Sequence, residues 1–317
     1  MKALKIKTEY ADITPSSQTK VTTCGNIVEH LTMSRVNRKG SGIINLGNYQ
    51  YMIPGEVDPY TGEVVVHDME RTENRAENTK GLAQSMKKVR DLLNCNVTNP
   101  KHCRWVTLTY AENMTDTKRL YSDRQKFWQR LTNWHKKNGH PVPEYISIVE
   151  PQGRGAWHMH EVWIYPSKAP YLPNETIREI WRQGFVTVKK LEDVDNVGAY
   201  LTAYLCDVPL DEAEAAGLNT NGLEVKEVEV TAEDGSKTHK RYVKGARLHL
   251  YPTGMNFYRT SRGVKRPEVE WMSQREAKEK VSAATLTYSK AMRLTDGEQF
   301  RSDLVYEYYN TVRGKSQ

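Results

Sequence analysis

The chain has 317 residues, of which 38% are hydrophobic and 27% charged, with a formal net charge of +7. That length suffices for one or two buried cores, and no run approaches the roughly 20 uncharged apolar residues that cross a bilayer as a helix. The basic balance, with a pI of about 9.0, favours a polyanionic partner without specifying one.

The opening MKALKIKTEYADITP lacks the apolar block of a secretory leader. Cys24, Cys95, Cys103 and Cys206 form no CxxC pair and are too sparse to staple a secreted domain. Reduced thiols in a soluble, cytoplasmic protein are therefore expected.

Residues 1 to about 72 mix strand-like runs (GIINLGNYQYMIPG, GEVVVHD) with turn residues, a small irregular or β-rich lead-in. From Asn74 to Asn94, Leu82, Met86, Val89 and Leu93 recur at helical spacing, predicting an amphipathic helix. CRWVTLTY (103–110) reads as a buried strand, and SDRQKFWQRLTNWHKKNG (122–139) as a helix with Phe127, Leu131 and Trp134 on one face. EYISIVE (144–150) and AWHMHEVWIY (156–165), separated by the turn-like PQGRG, predict a hairpin. A short helix in NETIREIWRQ, a strand in GFVTVKKL and a helix in VDNVGAYLTAYLCDV (194–208) follow. The order predicts an α+β fold, a sheet covered by helices. VKEVEVTAEDGSKTHKRYV then gives two charged strands around an Asp-Gly turn, where Glu227 and Glu229 can face Lys237, Lys240 or Arg241. The remainder is more basic and is expected to end in helical and polar segments.

On a strand, His158 and His160 point to one side, with Cα atoms roughly 6.5 to 7 Å apart, and Met159 to the other. Two neutral imidazoles so placed can share an ion. A hairpin that pairs even-numbered positions with even-numbered ones would bring the Glu150 carboxylate beside them, and carboxylate oxygen pulls the preference toward Mn²⁺ or Mg²⁺. Glu161 is nearer in sequence but faces away from His160, so it ranks below Glu150.

Tyr200 and Tyr204 stand four apart in a helical pattern, one turn apart on the same face. Tyrosine is a covalent nucleophile whose phosphate ester keeps the bond energy, so cleavage of a phosphodiester through it is reversible. Its phenol, with a pKa near 10, needs help to lose its proton.

In this order WVTLTY (105–110), HMH (158–160) and GAYLTAY (198–204) resemble the three motifs of the HUH endonuclease superfamily, in particular the rolling-circle replication initiator (Rep) proteins of phages, plasmids and related mobile elements. Glu150, eight residues before His158, stands where related initiators often carry a third metal ligand. RTSRGVKRP (259–267) is similar to a basic element that follows the catalytic core, making Arg259, Arg262, Lys265 and Arg266 candidates for phosphate contacts. The resemblance spans roughly residues 100 to 267.

The resemblance implies a five-stranded antiparallel sheet flanked by helices, with the catalytic core at 101–208. An N-terminal extension (1–100), a charged hairpin with the basic element (209–267) and a C-terminal extension (268–317) complete the chain. It also implies origin DNA as partner, a bacterial host cell, and a 5′-phosphotyrosine intermediate formed at Tyr200 or Tyr204 that frees a 3′-OH primer. No GxxxxGK[ST] loop occurs, so unwinding falls to a host helicase and copying to a host polymerase. One departure stands out: Ala203, Asp207 and Val208 occupy places where such tyrosine helices usually carry a lysine, leaving Lys189, Lys190 or Lys244 to supply the cation. An HUH transposase or relaxase, or a basic regulator that binds without cutting, are the alternatives.

Overall fold

In a computed structural model the chain is described over residues 12–35, 44–47, 50–57, 64–68, 79–152, 155–191, 208–210, 225–231, 237–243, 250–252, 254–296 and 300–312. In chain order the elements begin with β1 (Gln18–Cys24), β2 (Ile27–Met33), β3 (Ile44–Gly47), β4 (Gln50–Val57), β5 (Val64–Asp68) and α1 (Thr79–Asn96). Then come β6 (Cys103–Tyr110), α2 (Thr117–Lys137), β7 (Glu144–Pro151), β8 (Trp157–Ile164), α3 (Asn174–Trp181) and β9 (Gly184–Lys190). The rest comprises β10 (Val208–Pro209), β11 (Val225–Thr231), β12 (Lys237–Val243), β13 (Tyr258–Thr260), β14 (Glu268–Ser273), α4 (Gln274–Lys280), β15 (Thr285–Asp296) and β16 (Phe300–Asn310).

The architecture is α+β, with two five-stranded antiparallel sheets and, among the described residues, four α-helices. The first sheet has the order β13-β7-β8-β6-β9 and the second β14-β1-β2-β16-β15. Two smaller antiparallel sheets, β3-β4-β5 and β10-β12-β11, complete the description. None of the described helices is long and apolar enough to cross a membrane.

Alternation makes the first sheet two-faced. Along β6, Val106, Leu108 and Tyr110 are buried on one face, while Trp105, Thr107 and Thr109 turn to the other. Along β8, Met159, Glu161 and Trp163 share the first face, and His158 and His160 the second. Helix α2 covers the first face with a buried stripe of Leu120, Phe127 and Leu131, Phe127 meeting Trp163 and Trp181 at ring distances of 6.1 and 5.6 Å. It starts five residues before the expected Ser122, because the Asp116 side chain caps the N–H groups of Lys118 and Arg119. The stretch 194–208, expected to be helical, lies outside the described residues except for Val208, which pairs with Val243 at the start of β10. In the charged hairpin Glu227 stands opposite Arg241, and Glu229 opposite His239.

The expected helical and polar ending is corrected. After the short helix α4, capped by Ser273 and Glu276, the chain runs into the long β15–β16 hairpin. Its last strand, FRSDLVYEYYN, is rich in aromatic residues and buries Leu304, Val305 and Tyr309. Such residues fit a half-buried pleated surface better than a helix. β16 pairs with β2, so the two ends of the chain make one sheet, with a small core of Val21, Val28, Ala277, Val281 and Tyr309.

Helix α1 ties this second sheet to the first. Its Val89, Leu92 and Leu93 join the core of the first sheet, while Lys87 Nζ reaches Glu29 on β2 at 2.7 Å. The β1–β2 turn abuts its end. There Gly25 has φ +56°, and a Cβ would sit 2.4 Å from the Asn94 carbonyl oxygen, so no other residue fits without moving the helix.

A fully buried carboxylate lies under α2. Glu161 accepts from Arg124 Nε at 3.0 Å, Trp128 Nε1 at 3.1 Å and Trp163 Nε1 at 2.8 Å. Replacing it strands an arginine and two indole donors in the core, and breaking a buried pair from one side costs about 3–5 kcal/mol. Glu161→Leu is accordingly expected to lower the unfolding free energy by about that amount in urea titration; a loss below ~1 kcal/mol would contradict it.

Candidate metal centre

The antiparallel register of β7 and β8 sets Glu150 opposite His158 and Ile148 opposite His160. This is the even-with-even pairing that a shared site requires. Glu150 Oε2 lies 3.0 Å from His158 Nε2 and 2.9 Å from His160 Nε2, and the three ligand atoms all fall within 4.8 Å of one another. Glu161 points to the opposite face and is held by Arg124 and the indoles.

Neighbouring strands fix the rings. On β6, Thr109 stands opposite His158 and Thr107 opposite His160. Thr107 Oγ1 is 3.1 Å from His160 Nδ1, and the Trp105 indole stacks on the His160 ring at 5.0 Å and 17°. With Nε2 on an ion the proton would sit on Nδ1, and that N–H would donate to Thr107 Oγ1, a contact that holds the ring orientation. Burial, and secondarily the charge of His158, depresses the His160 imidazole to about 3, so it is neutral and its lone pair is available at ordinary pH.

The donor set fits a divalent cation. Two neutral imidazoles and one carboxylate converge on one point, with the Glu150 side chain only 3% exposed. Three protein ligands leave coordination positions for a substrate oxygen or water, the pattern of reactive rather than purely structural metal sites.

The other expected residues are distributed around this point. Tyr200, Tyr204, Cys206 and Lys244 lie outside the described residues. Cys24, Cys95 and Cys103 are free, buried thiols. Lys189 on β9 pairs with Trp105 and so shares the histidine face, whereas Lys190 pairs with Arg104 and belongs to the opposite one. Arg259, Arg262, Lys265 and Arg266 are all exposed along β13 and the segment after it, and Arg259, opposite Ser147, is on the sheet face turned away from the histidines. Thr107 and Trp105 were legible only as parts of a motif. The signal that gives them a role is alternation, which puts 105, 107 and 109 on the face of the histidines once β6 and β8 pair.

A bound ion stabilises the folded chain by about 2.7 kcal/mol at a hundredfold excess over its dissociation constant. Addition of MnCl₂ should therefore raise the thermal midpoint of the protein, and Glu150→Ala or His158→Ala should abolish the rise. Thr107→Val should weaken it, with an apparent affinity about 10-fold to 100-fold lower. An equal rise in the two ligand variants would remove the site.

No curated protein and no solved structure matches the chain. Residues 103–208, which hold Thr107, Glu150, both histidines and both tyrosines, match the model of the replication-associated protein ORF2 family, a rolling-circle replication initiator family, consistent with a Rep protein.

Proposed function

We propose that the chain is a rolling-circle replication initiator that nicks and rejoins single-stranded origin DNA through a tyrosine ester, on a core of the HUH endonuclease type. The observation that carries the reading is the convergence of Glu150, His158 and His160 on one sheet face, inside the segment matched by a replication-associated family. In this reading residues 101–208 are the catalytic unit, 209–267 add the charged hairpin and basic element, and 1–100 and 268–317 are extensions.

Glu150, His158 and His160 would hold the ion, with Thr107 orienting His160. Bound there, Mn²⁺ or Mg²⁺ would polarise a non-bridging oxygen of the scissile phosphate. The phenol oxygen of Tyr200 or Tyr204 attacks the phosphorus and gives up its proton. The bond from phosphorus to the 3′ oxygen breaks, leaving a 5′-phosphotyrosyl link and, once that oxygen is protonated, a free 3′-OH that primes synthesis. The second tyrosine serves the closing transfer after one round of copying, while the first remains esterified. Lys189, on the histidine face, is the candidate for the cation that the tyrosine segment lacks. Arg259, Arg262, Lys265 and Arg266 contact phosphates and set DNA position rather than sequence. Host helicase and polymerase supply unwinding and copying.

The test is incubation with labelled single-stranded origin oligonucleotides and Mn²⁺, with covalent adducts resolved on denaturing gels. Wild type should form an adduct that chelator prevents. Each single Tyr→Phe variant separates the first attacker from the second, and the double variant should form none. Glu150→Ala should slow adduct formation by on the order of 10²–10³, the scale of one lost electrostatic contact to the transition state. An adduct in the double variant would overturn the mechanism.

A further inference from the structure

A second polar feature lies on the face of the first sheet turned away from the metal centre. Between α2, the start of β7 and the edge strand β13 runs a groove of about 1180 Å³, with an adjoining hollow of about 370 Å³ reaching Arg266. The groove is larger than the ~300–1,000 Å³ of typical small-molecule sites, so it suits a chain better than a metabolite.

Arg124 lines both spaces. Its Nε donates to Ser147 Oγ and Glu161 Oε1, and its guanidinium lies 4.4 Å from the centre of the Tyr145 ring. The residue is only 7% exposed, so it shapes the wall of the groove rather than presenting a free charge to it. Glu161 neutralises the charge of Arg124, so the groove draws its positive field from the exposed Arg259 and Arg262 on its rim. Glu144, the one carboxylate on the described lining, accepts from the Gly263 N–H.

The walls have the chemistry of base recognition. The Arg259 guanidinium sits 4.2 Å over the Tyr121 ring, forming a flat, charged aromatic platform. Along α2, Gln125, Gln129 and Asn133 recur every four residues and present exposed amides to the groove. Aromatic and arginine planes stack unpaired bases, amides bond base edges, and arginines neutralise phosphates. A groove that offers all three fits single-stranded nucleic acid.

We propose that this groove binds unpaired DNA flanking the segment handled at the metal centre, the strand passing around the β13 edge from one sheet face to the other. Only β7 separates β13 from the histidine strand, so the lateral path is two strand spacings, about 10 Å. The inference rests on the nicking reading for its biological setting, and on the groove alone for its chemistry.

The experiment is fluorescence anisotropy of the full chain with a labelled, mixed-sequence single-stranded oligodeoxynucleotide in chelator, where binding proceeds without cleavage. Tyr121→Ala should weaken binding at least about fivefold, the effect of losing one stacked base. The double substitution Gln129→Glu, Asn133→Asp, which places two carboxylates on exposed helix positions, should weaken it at least as much while leaving the thermal midpoint and its shift with Mn²⁺ as in wild type. Arg262→Ala should lower the slope of log affinity against log salt by about 0.7, one phosphate contact on a single strand. Photocrosslinking of a 5-iodouracil oligonucleotide should label Tyr121 or Tyr145. Wild-type affinity and salt slope in all three variants would overturn the groove, even if wild type forms the covalent adduct. Binding that responds to the variants in a protein that forms no adduct would instead sink the nicking mechanism and leave the groove standing.

Discussion

The pairing of β7 with β8 is the constraint that sets both faces of the first sheet. Side chains on a strand alternate with a period of two, so a slip of one residue would exchange the faces of the whole strand. In the register formed, Glu150, His158 and His160 meet on one face while Glu161 is driven into the other, under α2. Glu161 makes the alternative unfavourable. Its carboxylate is surrounded by Arg124, Trp128 and Trp163 as donors, and a slipped strand would bury an imidazole among those donors and leave the carboxylate without them. The ion pair thus does more for register than for stability, since a buried pair recovers little beyond its own desolvation.

That same pair links the two faces chemically. Arg124 commits its Nε to Ser147 and Glu161, which holds its guanidinium plane against Tyr145 in the wall of the groove. A lysine could not do this, because its ammonium is a point charge without a plane to stack. Thr107 plays the corresponding part on the metal side, where its hydroxyl beside His160 Nδ1, with the stacked Trp105 indole, holds the ring so that Nε2 faces Glu150. On each face, a short polar contact between neighbouring elements aims the group that meets the ligand.

What could be read from the sequence follows from how far apart the cooperating residues are. The strands 103–110 and 144–164, with the ligand group between them, were legible because alternation and one hairpin are local features. Glu150 and the histidines are eight to ten residues apart, and the pairing of β7 with β8 needed only one assumption about parity. The start of α2 was missed because Asp116 acts through a capping bond that periodicity does not reveal. The ending differs from the expected helical and polar segments because the last strand is set by its partners β15 and β2, and β2 lies about 270 positions earlier in the chain. The groove was invisible for the same reason: Tyr121 and Arg259 meet across 138 positions of chain, a separation no spacing rule covers.

The split between local and distant contacts also separates the chemistry from its support. The strands β6 to β9 are consecutive in the chain, and among the described residues only the three-residue β13 joins their sheet from further along. The second sheet is the reverse. It needs β2 and β16 together, with Arg35 bonded to Ser302 across 267 residues, so it closes only after nearly all the chain is present. The entropy of closing so long a loop grows only logarithmically, about 0.6 kcal/mol per doubling of length, so the distant pairing is tolerable once the strands have a surface to bury. Helix α1 provides it, packing Val89 and Leu93 on the first core while Lys87 and the Gly25 contact hold β1 and β2. A segment that carries both ligands and local strands can keep its geometry while its surroundings vary, and the family match is confined to such a segment, 103–208, while the end-to-end sheet lies outside it.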